Sequence, residues 1–137
     1  MAVVSRGGRA VRLAALVVAT LMGCLVVFQA LLAAGVPWGK VAYGGQSAEL
    51  PVSLRVSSGV AAGMWTLLGL IVLRRAGVIR LSLVPTGWLR GVSWIIVALL
   101  AVSVVLNGIT PSPWERAIWL PVSVLMLAGM LVVVRRS

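Results

Sequence analysis

With 137 residues, 61% of them hydrophobic and only 10% charged, the chain is a single domain whose apolar surface no soluble fold of this size can hide, so a bilayer is the expected solvent. The net charge of +10 rests on arginines that flank apolar runs, which marks membrane topology and argues against a nucleic-acid surface. One cysteine, no histidine and two acids cannot supply an intrachain disulfide, a transition-metal site or a nucleophile–base pair, so no cofactor, no metal and no catalytic residue is expected.

Residues 1–12 form a basic N-terminal segment carrying Arg6, Arg9 and Arg12. Behind it, 13–34 is an uncharged run of 22 residues closed by Gly35. At about 1.5 Å per residue it crosses a hydrocarbon core of roughly 30 Å. Two processing signals overlap this run: Arg6 to Ala34 has the order of a cleavable signal peptide, and Leu21-Met22-Gly23-Cys24 has the form of a lipoprotein cleavage box. The apolar run exceeds the ~7–15 residues of a signal peptide. Leu25-Val26-Val27-Phe28 also stays apolar where a lipoprotein would turn polar, so a retained span is expected.

The loop 35–50 follows, the least apolar part of the chain. With its flank to residue 55 it is about twenty residues long, where about two to eight join neighbouring helices. Pro51 suits a first helical position and opens the second span, 51–75, which closes on Arg74, Arg75 and Gly77. The third span, 87–106, is closed by Asn107-Gly108. Ser112-Pro113-Trp114-Glu115 reads as a capping box with proline at the first helical position, and opens the fourth span, 113–134. Pro121 lies inside that span and frees the carbonyl of Ala117, so a kink is expected. The fold class is therefore an all-α membrane protein, a bundle of four transmembrane helices.

The N-terminal segment, the middle loop and the C-terminus hold nine of the twelve cations. Cations favour the cytoplasmic side, so both termini are expected there and the 35–50 loop is expected to be extracytoplasmic.

Polar residues within spans usually face other helices. Gln29 lies in the first span, and Ser93, Ser103 and Asn107 follow one stripe of the third. Gly59 and Gly63 form a GxxxG in the second span, a helix-packing signal, and Arg55 precedes Gly59 by four residues on the same face. Gln29, Trp38, Glu49, Arg55 and Asn107 make a candidate outer pocket in which Arg55 favours an anionic group. For each the plainer role is interhelical packing, a headgroup contact or, for Trp38, an interface anchor. Glu115 already has a role in the capping box, and no carboxylate falls inside a span where it can relay protons.

The stretch "GVPWGKVAYGGQSAELPVSLRVSSG", with "LRRAG" and "LNGITPSPWERAIWLPVSVLMLAG" after it, resembles a family of small bacterial four-span integral membrane proteins with a G-x-P-W-G…GG…LP…LR outer loop. The resemblance covers roughly residues 29 to 134, and its most specific part is Pro37-Trp38-Gly39 with Gly44-Gly45 and Leu50-Pro51. It implies a topology and a bacterial plasma-membrane location, and it carries over no chemistry. The expected function is a non-enzymatic structural or accessory bundle in the lipid bilayer, self-associating or part of a larger membrane complex. The alternative is a small carrier or ligand-binding protein with an outer-leaflet pocket near Arg55.

Overall fold

The computed structural model describes residues 6–137, with side chains from residue 8 onward. Four helices account for most of it: α1 (Arg6–Ala34), α2 (Val52–Arg75), α3 (Leu89–Ile109) and α4 (Pro113–Arg136). No strand occurs among the described residues. All four helices are long and apolar enough to cross a membrane, with mean hydropathies of 2.4, 1.9, 2.4 and 2.5 over their best windows. Large apolar side chains such as Val52, Val60, Val105 and Ile109 lie outward and exposed, the arrangement of a protein solvated by lipid.

The helix ends follow local rules. At the end of α1, Gly35 N–H donates to Leu32 O and Val36 N–H to Leu31 O; at the end of α2, Gly77 N–H donates to Arg74 O and Val78 N–H to Leu73 O. Both are Schellman closures with glycine at the left-handed position. The second span starts one residue later than expected, with Pro51 as the cap and its carbonyl accepting from Leu54 and Arg55 N–H.

Two boundaries differ further from the sequence expectation. Helix α1 begins at Arg6, so Arg9 and Arg12 belong to the helix and do not precede it. Arg9, Ala10 and Arg12 favour helix and no proline interrupts them, and the helix runs on across Gly7 and Gly8 despite their cost of about 1 kcal/mol each. At 29 residues α1 exceeds the hydrocarbon thickness, which tilt or projection accommodates. Helix α3 continues past Asn107-Gly108 to Ile109. Its stop is Pro111, which holds Thr110 extended (φ −58°, ψ 140°). Helix α4 stays helical through Pro121, and beside it the Ser123 hydroxyl donates to Trp119 O at 2.8 Å or Leu120 O at 3.0 Å.

Helix α1 packs between α2 and α4, α3 leans mainly on α4, and α2 and α3 touch little. The core gathers toward the end that carries the start of α1 and the end of α4: Val18 and Met22 from α1, Ile71 and Val72 from α2, Ile96 and Leu100 from α3, Met126, Met130 and Val133 from α4. That end is tied together by arginines: Arg12 donates to Gly77 O at 3.3 Å, Arg75 to Ser137 O at 3.0 Å, and Arg74 to Val84 O.

Helices α1 and α4 are close at Gly129, where a Cβ would stand 2.6 Å from Val18 Cγ2 and 3.5 Å from Ala14 O. Gly59 meets only Ala33 Cβ at 3.8 Å, and Gly63 has open space where a Cβ would be. Gly129→Leu is therefore expected to cost about 1–3 kcal/mol by overpacking the α1–α4 seam. Gly63→Leu is expected to stay within about 0.5 kcal/mol of wild type. Thermal melts of the detergent-purified variants check this, and equal destabilisation by the two substitutions would contradict it.

Candidate functional site

At the opposite end the loop 36–51 folds down onto the bundle. It contains two short 3-10 turns, Gly39–Val41 and Tyr43–Gly45, and three successive residues in left-handed conformation, Tyr43 (φ 48°), Gly44 (φ 81°) and Gly45 (φ 70°). A positive φ is unusual for tyrosine and persists where surrounding contacts over-determine it.

Those contacts are four hydrogen bonds to residues distant in sequence. Trp119 Nε1–H donates to Val41 O at 2.8 Å, and Ser112 Oγ–H donates to Lys40 O at 2.7 Å. Gly44 N–H donates to Glu115 Oε2 at 3.0 Å, and the Tyr43 hydroxyl pairs with the buried Ser58 hydroxyl at 2.9 Å. Three of the four go to the start of α4, so the loop is seated on that helix. Its length is what this reach requires.

Beneath the seated loop lies a cavity of about 230 Å³. All four helices and the loop contribute to it. Leu25 and Met126 close it toward the core; Phe28, Trp65 and Trp119 supply aromatic rings; Gln29, Ser103, Asn107, Glu115 and Ser123 supply polar groups; Val41, Ala42 and Tyr43 form the loop side. Phe28 packs tilted against Trp119, with ring centroids 4.7 Å apart.

The polar groups are only partly paired with protein. Asn107 Nδ2 reaches Ser123 Oγ at 3.4 Å and Trp119 O at 3.5 Å. Gln29 Oε1 is buried with no hydrogen-bond partner. An unpaired buried acceptor costs about 1–3 kcal/mol, so such a group in a polar cavity is an invitation to a donor. Gln29→Leu is expected to raise the stability of the protein alone by about 1 kcal/mol, seen as a higher melting temperature; a lower one would show that the amide is already satisfied.

Glu115 is the charged residue of the lining. The capping geometry expected at the start of α4 is half present: Ser112 Oγ accepts from Glu115 N–H at 3.1 Å. The carboxylate does not return to Ser112 N–H, which donates to Thr110 Oγ1 at 3.3 Å. Glu115 Oε2 instead accepts from Gly44 N–H and from the Thr110 hydroxyl at 2.6 Å. One side chain thus belongs to helix start, loop seat and cavity wall together.

Of the five residues expected at an outer pocket, Gln29 and Asn107 line the cavity. Trp38 sits one layer out, stacked on Phe28 at 6.3 Å and half exposed. Glu49 is exposed and is not part of the lining. Arg55 faces α1: its Nε donates to Ala33 O at 3.1 Å, and its guanidinium covers Gly35. Arginine here satisfies a free carbonyl at the end of a helix. Sequence reasoning missed Tyr43, Trp119 and the cavity role of Glu115, because only the loop's descent onto α4 brings them together.

Fold and cavity define the class: a multi-pass membrane protein in which a helix bundle holds a loop-covered cavity at one end. Compared with protein-family models, curated proteins and solved structures, the chain gives no match.

Proposed function

We propose that the chain is a non-enzymatic membrane protein that binds a small ligand in the loop-covered cavity, as a carrier or receptor does. The observation that carries this reading is the polar and aromatic lining under a seated loop, with the Gln29 acceptor unpaired. Ligand sites join an apolar body of side chains to a few convergent polar groups, and a volume near 230 Å³ suits a small guest. Binding is favoured over catalysis because the lining offers a single carboxylate and no histidine or lysine to activate a hydroxyl. With both termini cytoplasmic, as the arginine distribution predicts, the loop and cavity lie toward the extracytoplasmic side of a bacterial plasma membrane. The two exposed glycines of α2 support self-association as a second property of the same bundle, with Gly63 presenting open surface.

A thermal-shift screen of the purified protein against small cations, anions and neutral molecules tests the reading. A bound class is expected to raise the melting temperature by on the order of 5–10 °C at about 100-fold excess over Kd. Ser103→Phe, which fills the cavity, is expected to remove the response. A panel that shifts nothing, or a shift that Ser103→Phe leaves intact, would defeat the proposal and leave the bundle itself as the function.

A further inference from the structure

The chemistry of the lining names the charge of the guest. Three cations lie in this half of the molecule's loops and helix starts, and each is engaged with a main-chain carbonyl: Lys40 Nζ with Gln46 O at 3.4 Å, Arg55 with Ala33 O, and Arg116 with Thr110 O at 2.7 Å. None of them lines the cavity, whereas Glu115 does. The Glu115 carboxylate is held by two neutral donors, Gly44 N–H and the Thr110 hydroxyl, both on Oε2. Those bonds fix its position without cancelling its charge.

The remaining lining repeats the preference. Phe28, Trp65 and Trp119 are in the lining, and aromatic ring faces attract a positive group and repel a negative one. Gln29 Oε1 needs a hydrogen-bond donor. An anion would meet a carboxylate, an unpaired carbonyl and aromatic rings, while the Ser103, Asn107 and Ser123 donors of the lining are already engaged with protein oxygens. A neutral hydrocarbon would leave the Gln29 acceptor buried and unpaired. A neutral alcohol answers the acceptor and the rings but leaves the carboxylate without a counter-ion; a guest that combines positive charge, N–H donors and an apolar body answers all three.

We propose that the cavity takes a small organic cation, a primary ammonium on a ring or short apolar body, with Glu115 as counter-ion and Gln29 Oε1 accepting an ammonium N–H. This rests on the cavity being a ligand site, as proposed above. A cavity of ~150 Å³ accommodates benzene, so about 230 Å³ admits a body somewhat larger than one aromatic ring.

Three probes of one shape and different charge test the inference: benzylammonium, benzyl alcohol and benzoate, titrated into purified protein and followed by tryptophan fluorescence and calorimetry. Benzylammonium is expected to bind at least tenfold more tightly than benzyl alcohol, with benzoate weakest. Glu115→Gln keeps a side-chain oxygen for Gly44 N–H and removes the charge. It is expected to bring the ammonium-to-alcohol ratio to within about threefold of unity while benzyl alcohol still binds. The wild-type charge series decides the matter even where that variant does not fold. Benzyl alcohol or benzoate binding as tightly as benzylammonium would overturn the cation assignment and leave the cavity as a ligand site. An unchanged ratio in folded Glu115→Gln would overturn the role of Glu115. Binding by none of the three would overturn this inference, while the broader thermal-shift panel still decides whether the cavity takes another class.

Discussion

Gly39→Ala is expected to unseat the loop between α1 and α2 and to lower stability by about 3 kcal/mol, the upper end of what overpacking costs. A Cβ at that position would stand 2.1 Å from Ser47 O and 2.8 Å from Ala48 O. Both obstacles are main-chain oxygens, so no side-chain rotation relieves the clash. Ala48 O also accepts the hydrogen bond of Gly39 N–H at 2.8 Å, and moving it away breaks that bond. The loop's anchors on Lys40 O, Val41 O and Gly44 N–H follow within five residues, so a displaced Gly39 loosens them as a group. The expected fall in melting temperature is roughly 6–12 °C, with a change in tryptophan emission as Trp119 loses its bond to Val41 O. Gly87→Ala, in the connection at the other end, has nothing within 4 Å of the added carbon and is the matched control. If Gly39→Ala melts within about 2 °C of wild type while Gly87→Ala does the same, the packing assigned to this loop is wrong.

The four helices were legible because lipid leaves an uncharged run of twenty-odd residues little alternative to a helix. The capped ends were legible to within a few residues because caps are local: Ser112, Gly35 and Gly77 act on neighbours three to five positions away; the start of α1, which no cap marks in the sequence, lies seven residues before the apolar run. The cavity was legible in part. Gln29 and Asn107 stood out as polar residues in apolar helices, and both line it. Arg55 did not follow, because its spacing from Gly59 defines a helix face and says nothing about which neighbour that face meets. Its partner proved to be the carbonyl of Ala33, at the end of the preceding helix. The excess length of the 35–55 stretch was visible, but its use depends on partners 71 to 78 residues away. No periodicity in the sequence records contacts at that separation.

Glu115→Ala is the other large effect, expected to cost more than about 3 kcal/mol, with a smaller loss for Glu115→Gln. Alanine leaves Gly44 N–H and the Thr110 hydroxyl without their acceptor, and hydrogen bonds to a charged group are each worth about 1.5–3 kcal/mol. It also removes the acid from the first turn of α4, worth about 0.3–1 kcal/mol at a helix N-terminus. Glutamine retains an oxygen where Oε2 lies and loses the charge alone. The two variants therefore separate the seating of the loop from the charge of the cavity. Hydrogen exchange over residues 39–45 reads the first directly: protection is expected to vanish in Glu115→Ala and to persist in Glu115→Gln. Retained protection in the alanine variant would mean that Trp119 and Ser112 hold the loop without Glu115. The carboxylate would then be held in the cavity for its charge and not for the fold. Loss of protection in both variants would instead make the charge itself part of the seat, because a neutral oxygen in the same place had failed to hold the Gly44 N–H.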